Sequence, residues 1–144
     1  MTVETFTVVT GWALVVMLGG IIALPFLMRG PLLTALPAGA RLARMPLRQR
    51  LTSHYTGAYV FLGGTMVHLL VPMMANALGP RHSAIGLWLA TLALLAAGVQ
   101  VTIGRRLRDE HGEQRHRVRR SHLAGMSAVV LLIAAHIVIN GPGL

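Results

Sequence analysis

The sequence predicts an all-α protein, a four-helix bundle that crosses a membrane. Three observations carry that expectation. Of the 144 residues, 54% are apolar and 12% charged, and the mean hydropathy is +0.65; a soluble domain carries about 25% charged residues. The apolar residues gather in four runs, at about 6–28, 53–77, 83–104 and 121–140, each close to the roughly 20 residues that span a bilayer as helix. The four acidic residues, Glu4, Asp109, Glu110 and Glu113, all fall outside those runs. A single integral membrane domain over residues 1–144 follows.

The first run contains Gly19-Gly20 and Pro25, and the second contains Pro72. Membrane helices tolerate such prolines when neighbours satisfy the freed carbonyl. No basic stretch precedes the first run and no A-x-A site follows it, so it reads as a retained helix and not a cleaved leader. The connections are unequal: an Arg-bearing loop at 30–52, a tight Gly-Pro turn at 78–82, and an Arg-rich loop at 105–120. Within 38–50, Arg41, Arg44 and Arg48 share one helical face with Leu42 and Met45 on another. Such a segment suits either the headgroup layer or a solvated loop.

Arginine placement orients the chain. All thirteen basic residues are Arg. Arg29, Arg41, Arg44, Arg48 and Arg50 attend the first loop, and Arg105, Arg106, Arg108, Arg115, Arg117, Arg119 and Arg120 the third. Only Arg81 attends the second. The positive-inside rule puts both long loops in the cytoplasm and both termini outside, as in a bacterial cytoplasmic (inner) membrane. The pI near 11.9 is thereby explained by topology, and no nucleic-acid-binding motif accompanies it. With no cysteine, disulfides, iron–sulfur clusters, thiolate metal sites and covalent CxxCH haem attachment are excluded.

Two histidine pairs point to function. His54 and His68 lie fourteen residues apart in the second run, and His122 and His136 fourteen apart in the fourth. Each first histidine sits in Ser-His-x-x-Gly, as Ser53-His54 with Gly57 and Ser121-His122 with Gly125. The segments thus repeat with a period of 68 residues, each opening on a serine suited to cap a helix; a duplicated helical hairpin is expected. Fourteen helical residues rise roughly 21 Å and return to within about 40° of the starting direction, so each pair shares one face. The second and fourth helices run parallel in a serpentine path. His54 therefore meets His122 near the cytoplasmic face, and His68 meets His136 about four turns outward.

A lone membrane histidine most often bridges helices by a hydrogen bond. Ionisable groups at membrane depth are nonetheless rare and usually functional, and here one spacing occurs twice with the same neighbours. A structural zinc ion wants four protein ligands and a catalytic one usually three, whereas each pair supplies two. Haem iron needs only two axial imidazoles, so two bis-histidine b haems fit the ligand count. Copper stays open because Met66, Met73 and Met74 accompany His68, although methionine is also ordinary apolar filler. Gly19, Gly20, Gly57, Gly63, Gly64, Gly98 and Gly125 suit either clearance for a macrocycle or plain helix packing. Arg50 and Arg120 are candidate partners for the inner haem's propionates, with Arg119 an alternative to Arg120. Arg81 or His82 could serve the outer haem, and His82 could instead belong to a quinone site. His111 and His116 read as solvated.

This pattern resembles the haem-bearing four-helix core of the cytochrome b and b6 family, over 53–77 and 121–140. There the second and fourth helices each carry two histidines about fourteen residues apart and clamp two stacked b haems. The resemblance implies axial-ligand roles for His54, His68, His122 and His136, in a small dihaem cytochrome of similar architecture. It does not extend to that family's further helices or to a quinol-oxidation motif.

The function expected is transmembrane electron transfer, with quinone or quinol as the diffusible partner. The chain would serve as a cytochrome b subunit or anchor of a respiratory or quinone-linked complex. A stand-alone quinone-linked superoxide oxidase also stays open. The competing classes are a non-redox structural membrane subunit and a haem or metal carrier.

Overall fold

A computed structural model describes residues 2–28, 44–75 and 83–140. Four long helices dominate: α1 (Val3–Leu27), α3 (Thr52–Met74), α4 (Ala84–Asp109) and α5 (Gly112–Asn140). A single turn, α2 (Leu47–Arg50), leads into α3. All four long helices have the length and apolarity to cross a membrane, each holding an 18-residue stretch of mean hydropathy 2.2, 1.5, 1.9 and 2.2 in turn. The second connection, with Arg81 and His82, and most of the first, with Arg29 and Arg41, lie outside the described residues.

Local chemistry sets the helix starts. Thr2 caps α1 by accepting the Thr5 N–H at 3.2 Å, and Ser83 caps α4 by accepting from the Gly86 N–H at 2.9 Å. The two repeat serines do not act this way. Leu51 is the N-cap of α3, with no side-chain bond, and Ser53 already lies within that helix. Ser121 lies well inside α5, where its hydroxyl donates to the Arg117 carbonyl at 3.3 Å, the back-bond open to a serine in mid-helix.

The third connection corrects the expectation of a long loop at 105–120. Helix α4 runs to Asp109, α5 begins at Gly112, and only two residues join them. Arginine is a good helix former, and Arg106 pairs with Glu110 at 3.1 Å across the end of α4. Gly112 then turns the chain with φ +60°, a conformation in which a side chain is strained. The 29 residues of α5 extend about 43 Å, against a hydrocarbon core about 30 Å thick. It is thus long enough for its first turns, over 112–120, to extend beyond such a layer with their arginines. α1 and α3 differ from the expected spans only at their ends.

The helices pack as two antiparallel hairpins, α1 with α3 and α4 with α5, joined along α3 and α4. The core is thin. Leu18, Ile21, Phe61 and Ala97 form its centre, while Val16, Phe26, Trp88, Leu131 and Val138 are each about 70% exposed. An apolar exterior around a small interior suits lipid, where helices associate by close packing and not by hydrophobic expulsion. Gly57 receives Ile21, and Gly64 receives Leu14. At the far end of the second hairpin Asn140 Oδ1 accepts from the Ser83 N–H at 3.3 Å and its hydroxyl at 3.1 Å.

Candidate functional site: two imidazole pairs between the hairpins

Antiparallel packing within each hairpin brings α3 and α5 into the same direction. His54 and His122 then meet at the Arg-rich end, with ring centroids 6.5 Å apart and planes at 72°. His68 and His136 lie toward the opposite end, near enough to interact electrostatically. Backbone contact between α3 and α5 is at most marginal. Two imidazoles on opposite sides of one metal ion, each nitrogen about 2 Å from it, place their centroids about 6 Å apart. The His54–His122 spacing fits that arrangement.

Every one of the four rings is anchored through Nδ1 by the other long helix of its hairpin. His54 Nδ1 lies 2.9 Å from the Ile21 carbonyl, and His136 Nδ1 lies 2.9 Å from the Gly86 carbonyl. A carbonyl only accepts, so both Nδ1 atoms donate and each Nε2 keeps its lone pair. His68 Nδ1 lies 3.0 Å from Thr10 Oγ1. Thr10 Oγ1 also lies 2.7 Å from the Phe6 carbonyl and 3.2 Å from the Thr7 carbonyl; with its one proton given to either, Thr10 accepts from His68 Nδ1–H and the His68 Nε2 lone pair is left free. Metal-bound histidines characteristically donate their other ring N–H to such a partner, which fixes tautomer and ring direction.

His122 differs. Gln100 Nε2 lies 2.9 Å from His122 Nδ1 and 2.6 Å from the His122 carbonyl. In this arrangement the amide N–H donates to Nδ1, and the ring proton sits on Nε2. Glycines admit two of the rings closely. A Cβ on Gly11 would stand 3.1 Å from His68 Cε1, and one on Gly104 would stand 3.3 Å from His122 Cε1.

The arginines divide. Arg50 Nη1 donates to the Met28 carbonyl at 3.0 Å, closing the end of α1, while its buried Nε has no partner. Arg120 is exposed on α5. Arg108 lies 5.9 Å over the Tyr55 ring, tying α4 to the start of α3. His111 and His116 are exposed.

Of the glycines singled out in the sequence, Gly57, Gly64 and Gly125 pack against side chains, and Gly19, Gly20, Gly63 and Gly98 meet nothing within 4 Å. Sequence reasoning did not find Thr10, Gln100, Gly11 or Gly104. Gln100 had a signal, being the sole amide in the third apolar run. The Ile21 and Gly86 carbonyls had none, because every residue carries one. No protein family, curated protein or solved structure matches this chain.

Proposed function

We propose that this protein carries electrons across a membrane through two b-type haems, one held by His54 with His122 and the other by His68 with His136. The supporting observation is the meeting of His54 with His122, with His68 and His136 matched toward the other end and each ring held through Nδ1; to take iron, His122 would have to move its proton from Nε2 to Nδ1. Haem iron brings four equatorial nitrogens and takes two axial ligands, and each site offers two. Among the described residues no three His, Cys, Asp or Glu gather into a group able to hold a bare ion. When bound, each haem would supply a one-electron ferric/ferrous couple.

The chain's own residues hold, orient and insulate. The Ile21 and Gly86 carbonyls and Thr10 direct three rings and raise their basicity as ligands. Phe61 is seven residues from both histidines of α3, and Val129 seven from both of α5. They are 6% and 1% exposed, so they form a dry layer between the two sites. We assign Arg50, with an unpartnered buried Nε, and Arg120 to pair with the anionic propionates at the Arg-rich end. We assign Arg81 that role at the other end. We place the Arg-rich end in the cytoplasm and both termini outside, in a bacterial inner membrane. Quinone or quinol is the diffusible partner, and the chain serves as a subunit of a larger redox assembly.

The test is electron transfer across vesicles holding the haem-loaded protein, with ferricyanide trapped inside and ascorbate outside. Ferricyanide should be consumed faster than in empty vesicles, and His54→Leu or His68→Leu should return the rate to background. A wild-type rate equal to that of empty vesicles would overturn the proposal.

A second reading draws on the same hydrogen bonds, since histidines that only bridge helices also engage their neighbours through Nδ1. Bridging asks nothing of Nε2, however, and gives no reason for rings to meet in twos. A purified protein free of haem, yet destabilised by any one histidine substitution, would favour it.

A further inference from the structure

At the Arg-rich end of the second hairpin, α4 and α5 enclose a cleft of about 600 Å³, inside the roughly 300–1,000 Å³ range of small-molecule sites. Its lining is mixed. Ile103 and Val118 give it an apolar wall, and Arg106, Arg117 and Glu113 give it charges of both signs. The lining residues of α5 recur at helical spacing, so they share one side of that helix.

Depth identifies the surroundings. The inner edge of the cleft, at Ile103 and Ser121, adjoins Gly104 and His122, which stand against each other where the apolar runs meet the arginines. Its outer edge, at Glu113, lies two turns further out along α5, about 12 Å away. A bilayer that covers the apolar runs therefore puts the cleft in its headgroup layer. The charges are also available. Arg106 gives its Nε to Glu110 at 3.1 Å, and its two Nη groups have no partner among the described residues. Glu113 and Arg117, one turn apart, could pair with each other, yet neither forms an ion pair with a described residue.

We propose that this cleft binds the head of a phosphoethanolamine lipid. Arg106 and Arg117 hold the phosphate through their guanidinium forks. Glu113 accepts from the ammonium group, which carries only donors, and Ile103 and Val118 meet the start of the acyl chains. The carboxylate decides the class. A purely anionic head is drawn to the arginines but repelled by Glu113, and a choline head has charge without an N–H to donate. The surrounding Arg105, Arg115 and Arg119 attract anionic lipid in general, so general attraction and the cleft favour different lipids.

The experiment is native mass spectrometry of the purified protein in detergent with equimolar phosphatidylethanolamine, phosphatidylglycerol and phosphatidylcholine. Phosphatidylethanolamine should be retained about tenfold over either other lipid, the order of factor that one hydrogen bond to a charged group supplies. Glu113→Gln should abolish that preference, and Arg117→Gln should release the lipid. Arg115→Gln, an equal loss of charge outside the cleft, should change neither. Soluble phosphoethanolamine at the lipid's concentration should leave the lipid in place. A preference for phosphatidylglycerol, an unaltered preference in Glu113→Gln, equal effects of the two arginine variants, or displacement by the soluble head would each overturn the proposal. All three positions are exposed, so the variants should keep the fold, and haem content plays no part in the readout.

Discussion

In the α1–α3 hairpin, His54 leans on a backbone carbonyl and His68 on the Thr10 side chain. In the α4–α5 hairpin the order is reversed: His122 leans on the Gln100 side chain and His136 on a carbonyl. The hairpins therefore share an architecture and differ in where the replaceable partner sits. Read across the bundle, each imidazole pair contains one ring fixed by backbone and one fixed by a side chain. A carbonyl is present whatever the residue, so it anchors without being open to change. Thr10 and Gln100 are where sequence acts on each pair, and they act on different pairs.

The largest expected effect comes from the rings themselves. His54→Leu and His122→Leu lie in different hairpins but should each remove the same haem, halving haem content, and His68→Leu and His136→Leu should both remove the other. Pyridine haemochrome stoichiometry and the split of the reduced α band read this directly. If losses group by hairpin instead of across it, the pairing is wrong.

A smaller effect is expected from Thr10→Val, which keeps the side chain's shape and deletes the acceptor of His68 Nδ1. Removing such a partner typically costs about 10–100-fold in metal affinity. The haem of the His68–His136 pair should dissociate first in competition with apomyoglobin, while the other is retained as in wild type. Equal loss of both would show that Thr10 supports the bundle and not one pair.

The smallest effects should come from the glycines against the rings. A methyl on Gly11 approaches His68 Cε1 to 3.1 Å, and one on Gly104 approaches His122 Cε1 to 3.3 Å, both tighter than ordinary contact. Gly11→Ala should shift the spectrum of one haem and Gly104→Ala that of the other, by less than the ligand or Thr10 variants. A greater change from Gly104→Ala than from Gly11→Ala would reverse the order that these distances give.

Much of this arrangement was legible in the residues. Four apolar runs gave four long helices because a helix satisfies the backbone polar groups of a single apolar run within itself. The fourteen-residue histidine spacing placed both pairs, since helical geometry converts spacing into depth and direction. The Arg-rich stretch at 105–120 misled because charge was read as loop, although arginine favours helix and α5 can project past the apolar layer. Ser53 and Ser121 misled for a related reason, since capping depends on where a helix begins and α5 begins well before Ser121. The anchors of the rings were largely hidden. Two are backbone carbonyls, and Thr10, like Thr7, bonds backward along its own helix.

The most direct measurement is the dithionite-reduced minus air-oxidised spectrum of the purified protein, taken with its haem-to-protein ratio. Two b-type haems per chain with sharp, low-spin α bands are the expected result. A protein that remains free of haem when expressed with ample haem supply would contradict it, and would leave the four histidines as bridges between helices.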